Sequence, residues 1–568
     1  MRRLARQCRM PESIVAVLYN RGLKSRDAIE SHMTTTLASL NDPFTMKGMD
    51  RAVDRLVQAV ERRETVGVFG DFDADGVTAT AILLLFLREL GLPTVHYIPH
   101  RVKEGYGLNR QGLDRLAAAG CTLVVTVDCG ITNLDEAAYA GDLGLDLIIT
   151  DHHEPLGELP KALAVIDPKQ PGCAFAFKEL AGAGVAFCLV RALRSRLNSL
   201  GHWAGKAPPN LKRYLDLVAI GTVSDIVPLF DDNRIMVKAG LQVIDTGNRP
   251  GLRALMEAAR LKNCTSAVDV AFRLGPRINA AGRMDHADKA LELLLADDGG
   301  RAARLAGELD RLNQERQAQE RRIFKEAIEQ IEKEGDRPGY VLASRHWHQG
   351  IVGIVASKVM EQVARPVILL CQDDEHALGS GRCPEGFHLV EMLSMCRRFL
   401  LRYGGHRLAA GMKLAASDIE QFARAFSEVA GQTAASMEDG HALVPGLDID
   451  WPASIHELSR PEYLRFLDQL APFGPGYPQP VFAMQGFRVA ERRVVGTSHL
   501  KITLVGPNGN GEGSGPRGAG VALLAWNHAD KADLAWEDME LAFTPEVNVW
   551  QGRKSLQLVL KDARQRRV

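Results

Sequence analysis

Between Thr65 and Pro168 the chain repeats one pattern: a short run rich in Val and Ile, a loop, then a helix-like stretch. The runs are VGVFGD, TVHYIPHR, CTLVVTVDCG, LDLIITDHH and ALAVIDP, and NRQGLDRLAAAG and NLDEAAYAGDLG fall between them. Short, apolar, β-branched runs of this kind are what strands buried on both faces of a parallel sheet look like. Parallel neighbours need crossovers, which the helical stretches supply, so the pattern predicts a doubly wound α/β domain. In such sheets a ligand sits outside the carboxyl ends of the strands, so the residues that end each run carry the most information about function.

Those residues are acidic. VGVF passes into GDFDADG, which places Asp71, Asp73 and Asp75 at every second position on the turn into a helix. Carboxylates at that spacing repel one another and have no cheap local use; a divalent cation removes the conflict. Asp128 ends VTVDCG, Asp151, His152 and His153 follow in ITDHHEP, and Asp225 lies in GTVSDIVPL after a helix-like run, LDLVAIG. A lone Asp after a strand is ordinarily a turn former or helix cap, and an isolated His pair is ordinarily structural. Taken together, four clusters that a single sheet and its flanking fold can converge read as a metal centre. Hard carboxylate oxygens with one or two imidazoles suit Mn²⁺ or Mg²⁺, and this many candidates suggests two ions, the usual arrangement for splitting phosphate esters.

The 568 residues are enough for two to four domains. We expect an N-terminal helical cap over 1–45, the α/β catalytic domain over 46–300, and a long charged helix over 301–336. A second, smaller α/β domain over 337–431 and a small OB-like β-barrel over 446–568 would follow. The charged helix reads as a solvent-bridging spacer, and GPNGNGEGSGPRGAG as a hairpin loop, since no strand-GxxxxGK[ST]-helix context surrounds it. A formal net charge of -1 excludes a globally basic nucleic-acid binder, so any polyanion surface is local. Nine cysteines without a CxxC pair fit a reducing compartment, and no run approaches ~18 apolar residues. Both point to a cytoplasmic protein without a membrane span.

The ordered series GDFDADG, TVDCG, TDHH and VSDIVPL resembles the DHH phosphoesterase superfamily. RVKEGYGLN, LAGAGVAF, LGPRINAAGRMD, WHQGIVGIVASK, GSGR, YGGHRLAAGM and GTSHLKI narrow the resemblance to its single-strand-specific exonuclease branch, from about residue 45 to the C-terminus. The resemblance implies that Asp73, Asp75, Asp128, His152 and Asp225 ligate two Mn²⁺ or Mg²⁺ ions, with Asp128 bridging. Asp71 and His153 would complete or support the cluster, and Asp151 would orient the ligand beside it. It also implies a 5′-to-3′ exonuclease on single-stranded DNA, serving recombination and repair, monomeric, and working with a helicase and a single-strand-binding protein.

On the substrate side, Gly404, Gly405 and His406 offer backbone amides and a donor to the scissile phosphate. Ser380 and Arg382 would grasp phosphate, joined by His348, while Arg277, Asn279 and Arg283 would hold the 5′ end. In the barrel segment Lys501 and His499 are candidates for backbone contact, and Phe482, Phe487, Trp526 and Trp550 for stacking, most of these four being expected in the core. Two rival readings are a DHH phosphoesterase on small substrates (an oligonucleotide, a cyclic dinucleotide or pyrophosphate) and an inactive DNA-binding scaffold.

Overall fold

Val66–Gly70 (β1), Thr94–Tyr97 (β2), Leu123–Val127 (β3), Asp146–Thr150 (β4) and Ala164–Ile166 (β5) form a five-stranded parallel sheet in the order β2-β1-β3-β4-β5. Every residue of β1 and β3 is buried, which is why these runs carry no polar alternation. The computed structural model describes residues 1–436, 446–507, 520–550 and 553–565. The glycine-rich loop falls almost wholly outside them.

The helix Ala74–Glu89, apolar nearly all round, packs on one side of the sheet beneath the helices Gly182–Ser199 and Leu215–Ser224. A second sheet holds Tyr340–Ser344 (β6), Val367–Gln372 (β7), His376–Arg382 (β8), Leu400–Gly405 (β9) and Ala409–Ala415 (β10) in the order β6-β7-β8-β10-β9. Only its β6–β7 pair is parallel.

Between the two sheets in sequence runs the helix Gly299–Glu334. It is more than a solvent-bridging spacer. Ala302, Leu305, Ala306, Leu309, Leu312, Ile323 and Ala327 form a buried stripe that packs on Pro250–Ala258, Gly275–Met284 and Gln349–Val363. Its many charges occupy the other face, where i,i+4 pairs such as Arg304–Glu308 and Arg311–Glu315 form.

The chain divides into two units: Asp42–Asp225 with Gly240–Pro445, and Met1–Asn41 with Ile226–Ala239 and Gly446–Val568. The second unit contains Trp451–Pro452 (β11), Phe482–Met484 (β12), Arg488–Val495 (β13), His499–Val505 (β14), Val521–Ala525 (β15), Met539–Trp550 (β16) and Arg553–Gln565 (β17). They form a seven-stranded sheet, β11-β12-β16-β17-β15-β14-β13. The helices Arg2–Cys8, Glu12–Asn20 and Arg26–Thr34 do not stand apart as a cap. Ile14, Val15, Val17, Leu18 and Ile29 enter the same core as Phe482, Leu500, Leu523 and Phe543.

Candidate metal centre

Each acidic cluster leaves the carboxyl end of a strand or helix and turns inward. Asp71 follows β1 and is 3% exposed. Asp73 caps the helix Ala74–Glu89, accepting from the amides of Asp75 (2.9 Å) and Gly76 (3.1 Å) through Oδ1. Asp75 is buried and accepts from Gly182 N (2.6 Å) and Ala183 N (3.0 Å), the first amides of the neighbouring helix. Asp128 follows β3 in the left-handed region, φ 62, which Asp tolerates better than most side chains. Asp225 ends the helix Leu215–Ser224.

His152 sits where these meet. Its Nε2 lies 3.0 Å from Asp128 Oδ1, 3.6 Å from Asp225 Oδ2 and 3.9 Å from Asp75 Oδ2. Yet Nε2 and Asp128 Oδ1 make no hydrogen bond, and neither does Asp71 Oδ1, although all three atoms are buried. Two ligand-type atoms this close without a shared proton are aimed at a common point, and buried polar atoms left so are costly. Atoms of Asp71, Asp73 and Asp128 gather within 4.8 Å of one another; so do atoms of Asp75, His152 and Asp225, and of Asp128, His152 and His153. The sharing of Asp128 and His152 between groups is what two adjacent ions would need. Carboxylate oxygens with one imidazole nitrogen fit hard or borderline divalent ions.

The electrostatics agree. Burial, then Asp73, lifts the Asp71 carboxyl and takes that of Asp75 to about 7; burial, then Asp75, lifts Asp128 and Asp225. Burial and then His153 push His152 down to about 3, leaving a neutral ring with a lone pair at Nε2. A hydrogen bond to the Leu180 backbone holds its other side.

Asp151 does not orient His152 through the ring. Its Oδ1 accepts from His153 Nδ1 (2.7 Å) and the amides of His152 (2.7 Å) and His153 (3.2 Å), and Oδ2 from Ile131 N (2.9 Å). Although burial opposes it, that bond and the charge of Asp151 raise His153 to about 9. His153 is thus braced by Asp151 and by the Tyr106 hydroxyl, 3.0 Å from its Nδ1.

The substrate-side candidates divide. Arg283 donates to the Gly350 carbonyl (3.0 Å). Burial and the neighbouring charge of Arg101 push it down to about 9 against the pull of Asp73, with Arg316 and Arg382 adding to the push. Ser380 and Arg382 share the end of β8, both beside Gly353. Gly404 and Gly405 end β9 and, with His406 in the turn that follows, are exposed; Ala409 of β10 pairs with Arg382 of β8. By contrast Arg277 is committed to Asp310 (2.8 Å) and the Arg273 carbonyl. Asn279 accepts from Ala74 N (2.9 Å), fixing the helix that carries Asp75, and His348 caps the helix Gln349–Val363.

Lys501 lies in the second unit, on β14 opposite Arg493 of β13. Phe482 and Phe487 are buried, Trp526 is half exposed beside the His499 ring, and the Trp550 side chain is outside the described residues. Sequence reasoning passed over Arg101, whose guanidinium lies 4.6 Å over the Phe72 ring near the charges of Asp71 and Asp73. Its signal was available: it follows β2 at the same sheet end as the acids.

With that geometry in hand, comparison with known proteins is decisive. Models of the DHH family N-terminal domain match residues 65–222, of the DHHA1 domain 338–432, and of the RecJ OB domain 449–562. The single-stranded-DNA-specific exonuclease RecJ of Dickeya dadantii is 38% identical over 99% of this chain and 98% of its own. The chain belongs to the RecJ family. The crystal structure of RecJ from Thermus thermophilus in complex with Mn²⁺ matches with a TM-score of 0.80 and 33% identity, covering 100% of this chain and 78% of that one. The same protein in complex with Mg²⁺ matches at 0.74 and 32%, covering 100% and 77%. Both RecJ structures carry the kind of ion that the donor set here selects.

Proposed function

We propose that this RecJ-family chain hydrolyses single-stranded DNA from its 5′ end, with two Mn²⁺ or Mg²⁺ ions held by Asp71, Asp73, Asp75, Asp128, His152 and Asp225. The observation that carries the reading is the convergence of His152 Nε2 and Asp128 Oδ1 to 3.0 Å without a hydrogen bond, amid acids from two other stretches of chain. When bound, the ions supply a lowered water pKa and charge stabilisation at the attacked phosphate.

The chain's own residues do the rest. Asp75 and Asp151 are fixed by backbone amides, so the site is organised before substrate arrives. His153, braced through Nδ1 by Asp151, supports the cluster from beside His152. Arg101, Arg283 and Arg382, with Ser380, form a cationic tier suited to a strand's terminal phosphate, since guanidinium forks match phosphate oxygens. Gly404, Gly405 and His406 close on the scissile phosphate, and Lys501, His499 and Trp526 give the second unit a surface for the trailing strand. A helicase and a single-strand-binding protein are the partners that a single-strand substrate calls for, and a monomer suffices. No helix among the described residues is long and apolar enough to cross a membrane, and action on cellular DNA supports a cytoplasmic location.

The test uses purified protein, Mn²⁺ and a 3′-labelled strand, alone or in a blunt duplex. A descending ladder from the single strand only, abolished by EDTA, is expected. Cleavage of a dinucleotide or pyrophosphate in its place would move the protein to the small-substrate reading. Asp73→Ala should lose turnover by roughly 100-fold or more while keeping strand binding; unchanged turnover would remove Asp73 from the centre.

A further inference from the structure

The stretch MRRLARQCRMP, at residues 1–11, holds four arginines and no acid. The helix Arg2–Cys8 gives those charges a side. Ala5 and Cys8 enter the core of the second unit, while Arg2, Arg6 and Arg9 are exposed and follow one another at i, i+4 and i+7. Local preferences oppose this row. Like charges at i,i+4 repel, and a cation in the first turn opposes the helix dipole. Arg9 closes the helix as the left-handed residue of a Schellman turn (φ 54), a place that favours Gly; its amide donates to the Arg6 carbonyl (3.3 Å) and that of Met10 to Ala5 (3.1 Å). A merely solvated face would intersperse acids among such cations.

The row borders a cavity of about 510 Å³, the size of a small-ligand site, whose walls come wholly from the second unit. Arg460, which precedes the helix Pro461–Leu470, lines it as well. Among the described residues no acceptor pairs with the guanidinium of Arg6, Arg9 or Arg460. Two of the acids in the wall are occupied: Glu12 lies 3.6 Å from Arg2, and Glu457 accepts from the Ser13 amide (3.0 Å). Glu462 is left as a free acceptor. Met10 and the buried Pro11 and Phe466 supply apolar surface.

Three unpaired guanidiniums, one free carboxylate and an apolar patch around one cavity are the recognition set of a nucleotide. Guanidinium forks match phosphate oxygens, apolar side chains cover a base, and a carboxylate accepts from a sugar hydroxyl or a base amine. We propose that this cavity is a second nucleotide site, which takes a nucleoside monophosphate with its phosphate at Arg6, Arg9 and Arg460. The same chemistry has two sources, a free mononucleotide or one nucleotide of a single strand. The site uses no metal and no residue of the metal centre, so it stands or falls apart from the ligand assignments there.

Equilibrium dialysis of the full chain with radiolabelled dCMP, in EDTA and low salt, tests it on wild type, Arg6→Ala and Arg9→Gly. Ala favours the helix and Gly the left-handed turn, so both variants should keep or raise Tm. Each should nevertheless weaken dCMP binding at one site roughly tenfold or more, the loss expected with a charge-assisted hydrogen bond. Inorganic phosphate should compete more weakly than dCMP, and deoxycytidine should not compete. A short oligo(dC) strand separates the sources: strand affinity that falls in the same variants assigns the cavity to a strand, and unchanged strand affinity beside lost dCMP binding assigns it to the free nucleotide. Isotherms for dCMP and oligo(dC) that match wild type in both variants overturn the proposal. Equal competition by inorganic phosphate and dCMP overturns the nucleotide and leaves a bare phosphate site.

Discussion

At the scale of single residues, the centre stores its function as electrostatic conflict. Without an ion, burial and mutual repulsion hold the carboxyls of Asp71, Asp128 and Asp225 well above their usual range and that of Asp75 at about 7. A carboxyl raised in the folded state binds protons that the unfolded chain releases at about 3.8. The metal-free protein therefore loses stability from this site as pH rises from about 3.8 through about 7, the reverse of an ordinary salt-bridged acid. Mn²⁺ must displace those protons. Its affinity should climb with pH through neutrality, and calorimetric titration near pH 6 should give heats that vary with the ionisation enthalpy of the buffer. Heats independent of the buffer would mean that the acids are already ionised and that their repulsion is relieved some other way.

Among the elements, close approach decides which helices can carry these residues. A methyl on Gly221 would sit 2.4 Å from Asp75 Oδ1 and 2.5 Å from Thr78 Oγ1, and one on Gly182 would sit 2.6 Å from the Asp128 Cβ. Both glycines let a helix lie against the metal-binding turn. Gly221→Ala should push Asp75 off the amides of Gly182 and Ala183, costing about 1–3 kcal/mol of stability and roughly 100-fold in kcat. Denaturant unfolding and single-strand turnover measure the two; intact turnover would show that Asp75 has room to move without loss. The parallel strands and the strand-end acids were legible in the sequence, because a sheet buried on both faces leaves uniform apolar runs and period-two aspartates have few other uses. Gly182 and Gly221 were not, since a helical glycine announces nothing about what crosses it. The pairing of Arg277 was hidden for a related reason: its partner Asp310 lies 33 residues away, and spatial pairing leaves no local trace. The charges of the helix Gly299–Glu334 hid its buried stripe in the same way, because pairing between i and i+4 looks alike on a free helix and on a packed one.

For the whole molecule, the organisation that sequence order conceals is the union of the N-terminus with the C-terminal sheet. Ser13 ties to Glu457 through its backbone amide (3.0 Å) and to the Tyr463 hydroxyl through Oγ (3.2 Å), across more than 440 residues. Ile14, Val15, Val17, Leu18 and Ile29 are fully buried in that shared core. At roughly 1.5–3 kcal/mol for each such side chain, their removal forfeits on the order of 10 kcal/mol, comparable with the whole stability of a typical domain. Deleting residues 1–41 should therefore unfold the C-terminal unit while sparing the parallel sheet, whose strands draw their burial from helices within 74–224. Hydrogen exchange gives the test: amides of 482–505 and 539–548 should lose protection in the truncated protein, and those of β1, β3 and β4 should keep it. Retained protection at β12 and β14 would mean that the sheet's core is complete without the N-terminal helices.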